Sequence, residues 1–535
     1  MKRISPSCSP AVARTLDLSI VPLACVAAIV SAWPAQANES LSASGYGLTV
    51  GPVYNRSNLG SAAYNPANAL RLVADDEQVR LGVLEAGARY EIGPIDNVNK
   101  LKDDIKADID LAKNATASEA TRIANKINTT YLPQLAAGAN GNVQAKASLL
   151  TPILVRTERL PGVWSFNANA QVQAGGMFRQ SAVSPVVKFT TGSAAGLTAN
   201  VDLNKILNST ALTDLQNATN AGDSAAQTAA LNTLKGLVVG STDQAAINQA
   251  IASINANPGQ AIGATYSVTT ASAIDFKVAN VNQVSLGYST DLTRYTPDSM
   301  QALLPSAKLD AGLRVNAYQA LLYRQIGAFV DANGNSNTVK IESSRNNTTR
   351  STALGLDVGA ALGGDNYQVG ATLYNLNSPS FKYPDLLLDS TNAANLAAAR
   401  QLAAEGTIKT ADSIRLKPHV VLEGSLSSAN KRWLLQSSLA LNATTDFVGA
   451  PQKHATVSIS SNAEGYESAW LKYLVPSVRL GYNKNLVGSQ LATVGLGLSW
   501  GVFNIDANVS QQSVTIDGNK APRSAGLSMS IAEKF

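Results

Sequence analysis

Between Trp164 and Ala174 the chain alternates at every position: Trp164, Phe166, Ala168, Ala170, Val172 and Ala174 are apolar, and Ser165, Asn167, Asn169, Gln171 and Gln173 are polar. A strand sends successive side chains to opposite faces, so the pattern predicts one wholly apolar face and one amide-and-hydroxyl face. Its length matches the ~9 to 11 residues with which a tilted strand crosses a bilayer. The same alternation recurs with Leu197, Ala199, Val201 and Leu203, and with Leu309, Ala311, Leu313, Val315 and Ala317 against Asp310, Gly312, Arg314, Asn316 and Tyr318. The first strand is expected over 79–92. Near the end, apolar residues fall on even positions (Val494, Leu496, Leu498, Trp500) and then on odd ones (Phe503, Ile505, Ala507, Val509). That change of parity predicts a very short turn at Gly501-Val502, and Asp517-Gly518-Asn519 marks the next.

Three stretches have helical spacing instead. Val98, Leu101, Ile105 and Ile109, continued by Ile123, Ile127, Tyr131, Leu132 and Leu135, predict a helical hairpin over 97–147, kinked or ended near Pro133. A second helical stretch is expected near 204–260, clearest from Ala225 to Leu237, and a third near 390–410, with Thr391 as N-cap.

The two chain ends bear on where such strands would lie. Lys2, Arg3 and Arg14, the apolar run from Leu18 to Trp33, and Ala35-Gln36-Ala37 read as an export signal cleaved before Asn38. Pro22 interrupts the apolar run, which is too short for a spanning helix. Cleavage removes both cysteines, Cys8 and Cys25, and leaves 39 basic against 36 acidic residues. Disulfide and thiolate chemistry are thereby excluded, and a net charge of +3 argues against a nucleic-acid partner. The alternating end Leu527 to Phe535 resembles the last strand of Gram-negative outer-membrane proteins, which marks Phe535 as an assembly signal, although Glu533 departs from that pattern.

An all-β fold follows: a transmembrane antiparallel β-barrel of about 14 strands, at roughly 25 residues per strand with its loop. The expected domains are a signal peptide (1–37), an N-terminal hatch or plug (38–78) and the barrel with its helical insertions (79–535). If the first strand leaves the periplasm, both large insertions sit on the cell surface.

The segment Leu59-Gly60-Ser61-Ala62-Ala63-Tyr64-Asn65-Pro66-Ala67-Asn68-Ala69-Leu70 resembles the Asn-Pro-Ala region of the FadL-like outer-membrane transporters of hydrophobic compounds. Val79 to Asp96, Leu354-Gly-Leu-Asp-Val-Gly-Ala and the run from Val369 to Phe381 resemble the branch of those barrels named conjugal transfer protein TraF. The resemblance implies a hatch inside the barrel, with Asn65, Pro66 and Ala67 as its turn. Independently, Pro66 disfavours a helical Asn65, whose amide suits a turn.

Catalytic motifs are lacking. His419 and His454 stand without HExxH, GxSxG or Walker A patterns, and Asp75-Asp76-Glu77 and Lys102-Asp103-Asp104 read as solvated charge. No enzyme activity, cofactor or metal is expected. Arg80, Arg89, Glu91 and Arg314 are candidate lumen charges, because the lumen is where a barrel tolerates them. Ile123, Ile127, Tyr131 and Leu135 are candidates for ligand capture. The expected function is passive uptake of hydrophobic or amphipathic small molecules; the alternative is a non-transporting surface scaffold for conjugal transfer or adhesion. The expected partners are outer-membrane lipid and lipopolysaccharide, the barrel-assembly machinery and a hydrophobic ligand.

Overall fold

The computed structural model describes residues 44–534 except 56–57, 114, 139, 150–151, 158–160, 191–193, 296–305, 330–346, 389–391 and 462–474. The export signal, the cleavage site before Asn38, Thr391 and Phe535 lie outside the described residues. Fourteen antiparallel strands form a closed ring: β1 (Val79–Ile92), β2 (Asn140–Leu149 continued by Ile153–Thr157), β3 (Gly162–Arg179), β4 (Ala273–Asp291), β5 (Lys308–Ala328), β6 (Thr348–Gly363), β7 (Tyr367–Tyr374), β8 (His419–Ser427), β9 (Trp433–Ala440), β10 (His454–Ser461), β11 (Ser477–Asn485), β12 (Ala492–Trp500), β13 (Phe503–Ser510) and β14 (Ser524–Lys534). Each strand pairs with its sequence neighbours, and β14 closes on β1 from Arg80↔Lys534 to Glu91↔Ser524.

Burial is inverted relative to a water-soluble protein. On β5 the polar phase is covered and the apolar phase is bare: Arg314 is 2% exposed and Leu313 46%. The same holds for Asn167 against Phe166 on β3, and for Asp506 against Ile505 on β13. An apolar surface running round the whole ring calls for hydrocarbon outside it. At the short-turn end Trp433, Trp500 and Phe503 stand exposed, and the rings of Trp164 and Tyr288 meet at 5.0 Å. These are the aromatic residues expected where hydrocarbon gives way to headgroups.

The parity change at Gly501-Val502 is a two-residue turn, with Trp500 paired to Phe503 and Gly501 at φ +59°. Asp517 and Gly518, both at positive φ, turn a small hairpin of Ser513–Ile516 and Asn519–Pro522. A bulge in β1, between Gly82 and Leu84 against β14, resolves an apparent conflict of phase. One inserted residue flips every later side chain, so even-numbered Arg80 and odd-numbered Arg89 both face inward.

Several boundaries differ from expectation. The stretch 197–204 is not a barrel strand: Thr198–Asn200 joins Ser184–Phe189 and Ala264–Thr269 in a separate sheet within the β3–β4 insertion. Its apolar phase, Ala199 and Val201, is fully buried, the reverse of the barrel rule; alternation alone does not say which solvent covers which face. The first helical insertion ends at Gly138 rather than 147, because residues 140–147 belong to β2. Pro133 does not break it: the helix widens to a π turn over Ile127–Tyr131 and continues as Leu132–Gly138, relieving the clash that a proline ring makes in a tighter helix. In the second insertion the helix expected to Leu237 ends at Leu234. The third helix, Ala393–Ala404, is capped by Asn392, whose side chain accepts from the Ala394 and Asn395 amides.

The turns at 364–366, 428–432 and 501–502 lie at one end of the barrel, and the insertions after β1, β3 and β7 at the other. The insertions after β1 and β3 share one apolar core, including Ile123, Leu132, Leu215, Leu231 and Ile247.

Leu313→Arg, at the middle of the apolar belt on β5, should cost about 2–4 kcal/mol of unfolding free energy in lipid vesicles, and Gln319→Arg, at its edge, at most about 1 kcal/mol. Denaturant titration of the vesicle-folded barrel measures both. Equal costs would mean that the belt does not face hydrocarbon.

Candidate functional site: a hatch seated in the lumen

Residues 44–55 and 58–73 run through the barrel as a string of short turns, with helical pieces at Gly47–Val50, Ser61–Tyr64, Pro66–Asn68 and Ala69–Leu72. Asn65 is extended (φ −128°, ψ 116°), as a residue before proline must be, and its side-chain oxygen accepts from the Ala67 amide at 3.0 Å. That turn is one of two places where the hatch meets the wall closely.

The wall receives it through missing side chains. Gly312 on β5 and Gly359 on β6 are directly paired across their strands. A Cβ on Gly312 would stand 2.4 Å from the Ala67 nitrogen, and one on Gly359 2.0 Å from the Asn65 side-chain oxygen. Gly370 on β7 extends the seat, its Cβ position being 3.0 Å from Asn65 Nδ2. A second pair, Gly481 and Gly495 on β11 and β12, takes the other end of the hatch, their Cβ positions falling 1.9 Å from the Thr49 carbonyl oxygen and 2.9 Å from Thr49 Cα. The two seats are six strands apart in a ring of fourteen, so the hatch spans the bore between nearly opposite walls.

Polar contacts hold it there. Asn65 Nδ2 donates to Glu423 on β8 at 2.8 Å and to the Ala360 carbonyl at 3.2 Å; Asn68 Nδ2 donates to the same Glu423 at 3.1 Å, and Asn68 Oδ1 accepts from Gln368 Nε2 at 2.7 Å. Arg314 is fixed by Asp357 (2.9 and 3.0 Å) and donates to the Ala63 carbonyl at 2.5 Å. Arg71 pairs with Asp310, Tyr374 donates to the Tyr64 carbonyl, and Gln436 donates to the Tyr54 carbonyl at 2.8 Å. Of the charges named from sequence, Arg80 donates to the Leu72 carbonyl, and Arg89 pairs with Glu91 at 3.2 Å at the other end of β1. The contacts that escaped sequence reading are Glu423, Asp357, Asp310 and the wall glycines. Asp357, Gly359 and Gly370 sit inside the two TraF-like stretches of β6 and β7, and inward parity was the signal that singles them out.

Above the hatch the lumen is apolar and filled. On β5 the inward residues after Asn316 are Tyr318, Ala320 and Leu322, which pack with Phe381, Tyr383, Ile414, Leu416 and Phe447. Phe381, Tyr383, Ile414 and Leu416 come from the β7–β8 insertion and Phe447 from the β9–β10 loop, both folded inward. Higher still, Arg324 and Lys277 grip that insertion, Arg324 through the Lys409 and Thr410 carbonyls (2.8 and 3.2 Å) and Lys277 through Asp412 (2.6 Å).

The capture candidates are not an exposed patch. Ile123, Ile127, Tyr131 and Leu135 are buried in the shared core of the two insertions, because the second insertion covers the helix face that the first leaves apolar. Ile127 and Leu135 still line a narrow apolar crevice with Val183, Val268 and Phe329. His419 stacks on Tyr374 with ring centroids 4.7 Å apart, and His454 contacts Asn483 at 3.0 Å.

A family model described as F plasmid transfer operon, TraF, protein matches residues 62–439. The chain belongs to this family. The match to the TraF family opens inside the hatch, three residues before Asn65, and closes on β9, so it takes in Gly312, Gly359, Gly370 and Glu423 but not the Gly481/Gly495 pair. No curated protein matches the chain. Among solved structures, this TraF-family chain is similar to the TodX deltaS2S3 mutant monoaromatic hydrocarbon channel (10% identity, 91% of this chain and 97% of that one, TM-score 0.38). It is also similar to a Pseudomonas aeruginosa FadL homologue (10% identity, 94% and 100%, TM-score 0.36) and to the P. putida toluene transporter TodX (9%, 88% and 92%, TM-score 0.34). Overlaps this loose carry no further argument; the strand register itself establishes the barrel.

Gly359→Leu should unseat the hatch turn while leaving the barrel closed, at a cost of about 1–3 kcal/mol for the overpacked site. Gly424→Ala, where a Cβ meets only ordinary contact at 3.6 Å, is the control. Limited proteolysis of the folded barrel should cut within 44–73 in Gly359→Leu alone; equal protection in both proteins would mean that the glycine seat does not hold the hatch.

Proposed function

We propose that this protein is an outer-membrane channel, exported by its N-terminal signal and assembled by the barrel-assembly machinery into a lipid and lipopolysaccharide bilayer, that admits hydrophobic or amphipathic small molecules passively. The observation that carries the reading is how the hatch is held. Much of its attachment to the wall is through hydrogen bonds from amides, guanidinium groups and hydroxyls, and water satisfies the same groups when the hatch moves. A plug held by a continuous apolar core would lose that stabilisation outright on leaving. An apolar cluster joins the hatch to the wall where Leu59, Ala62, Ala69, Leu72 and Val73 pack on Leu154 and Val163, which suits a tether beside the first strands.

An irregular stretch of the wall supports the same reading. The bulge of β1 at Val83 lies beside a shift in the register of β2, which pairs Leu149 with Leu84 and Ile153 with Leu81 of β1, and Ser148 with Asn169 and Ile153 with Phe166 of β3. A ladder irregular on both sides of one strand is the place where a solute leaving the lumen meets the least regular wall. The solute would pass from the apolar upper lumen, past a displaced hatch, to this stretch.

A second reading, a non-transporting scaffold for conjugal transfer or adhesion, draws on the family description and on the insertions after β1 and β3, which form a packed surface module. Uptake separates the two. In a knockout strain, entry of labelled monoaromatic hydrocarbons and long-chain fatty acids should fall several-fold and return with the full-length gene. Unchanged uptake of the whole panel, with loss of mating or attachment, would replace the channel by the scaffold.

A further inference from the structure

The inward face of β5 orders the lumen along its axis: Asp310, Gly312 and Arg314 meet the hatch, and Tyr318 meets Phe381 and Phe447. The six residues from Gly312 to Tyr318 correspond to about 20 Å of strand, so the aromatic cluster is a separate level from the hatch. Its key member, Phe447, sits at the tip of the β9–β10 loop. That tip crosses the whole bore. It is rooted on β9 and β10, and it docks on β2 and β3, seven strands round a ring of fourteen.

The docking is specific. Asp446 accepts from Asn142 on β2 at 2.8 Å and from the tip's own Val448 and Ala450 amides at 3.1 and 2.7 Å. Gln173 on β3 accepts the Phe447 amide at 3.0 Å, and Tyr383 of the β7–β8 insertion donates to the Phe447 carbonyl at 2.5 Å. Phe447 is fully buried, its ring 5.0 Å from that of Phe381. Gly175 makes room for Val448: a Cβ there would lie 3.2 Å from Val448 Cβ.

We propose that this loop is a second closure of the bore, a crossbar in series with the hatch and independent of it, so that removing the hatch alone does not open the protein. The hatch makes its contacts on the level of Gly312 and the crossbar on that of Tyr318, so neither is needed to seat the other. The crossbar bears on permeability only and stands or falls apart from the identity of the cargo.

Acidity should bias the crossbar. Burial pushes the Asp446 carboxyl up to about 6. The charged group that faces it is Glu91 on β1, which adds to the rise; Tyr383 faces it from the insertion, β2 presents the Asn142 and Gln144 amides, and the loop itself presents Gln452. A docked carboxyl that holds its proton more tightly than a free one favours docking as pH falls.

The test is ion conductance of refolded mature protein in planar bilayers, with closure of each barrel verified by its heat-dependent mobility on a detergent gel. The intact chain, a deletion of 44–73, and Asp446→Ala/Phe447→Ala should all be nearly silent. Combining the deletion with the double substitution should raise conductance at least tenfold above either. The deletion alone conducting as much as the combination would overturn the crossbar, and so would a combination that inserts but stays silent. Residual openings of the hatch-deleted barrel should be about tenfold more frequent at pH 8 than at pH 5, and Asp446→Asn should remove that dependence. If hatch-deleted protein does not refold, Gly175→Cys/Val448→Cys in the intact chain decides the matter: an oxidised cross-link retained in the folded barrel supports the crossbar, and two free thiols overturn it. Each result is separate from the uptake experiment, which bears on cargo alone.

Discussion

The structure depends on one constraint: in hydrocarbon every backbone polar group must find its partner within the wall, so the sheet has to close on itself. Closure of β14 on β1 satisfies the last two edges and creates an interior. The charged side chains along the middle of the strands then point into that interior. Asp310, Arg314, Glu423 and Gln436 have nowhere else to go, and they need partners once water is displaced. The hatch supplies them, through the Asn65 and Asn68 amides, Arg71 and a series of its own carbonyls. If the protein is a gated channel, its plug is thus the solvation shell of the inner wall as well as its obstruction.

The glycine pairs follow from the same geometry. A turn of main chain reaches inward-facing carboxylates and guanidinium groups on short side chains such as Asn65 only if the wall between them is bare of Cβ atoms. Gly312 with Gly359, and Gly481 with Gly495, provide two such gaps, each formed by neighbouring strands in register. Glycine weakens a strand, and in these positions the cost is offset by contacts that no larger residue permits.

Much of this was legible in the sequence. Strict alternation gave β3 and β5 and their orientation, parity placed the Gly501-Val502 turn, and Asn65-Pro66 marked the hatch turn. What was not legible had physical causes. The strand Thr198–Asn200 has the barrel's period but buries its apolar face, and only its three-dimensional neighbours decide that. The conflict of phase in β1 required a bulge that leaves no trace in the letters. Ile123, Ile127, Tyr131 and Leu135 read as an unpartnered face because their partners lie about a hundred residues away, beyond β2 and β3. Glu423 and Phe447 were silent because a single inward residue on a short strand or loop has no periodicity of its own.

The central claim is that residues 44–73 occupy the lumen, seated on paired wall glycines. The most direct measurement is a cross-link. The Cβ position of Gly495 lies 3.3 Å from Thr49 Cβ, within reach of a disulfide after a slight shift, and the chain has no cysteine after Cys25. Thr49→Cys/Gly495→Cys, oxidised in isolated membranes, should form an internal disulfide that changes mobility on a denaturing gel and reverses on reduction. A heat-modifiable, properly inserted barrel in which both thiols remain free would contradict the account.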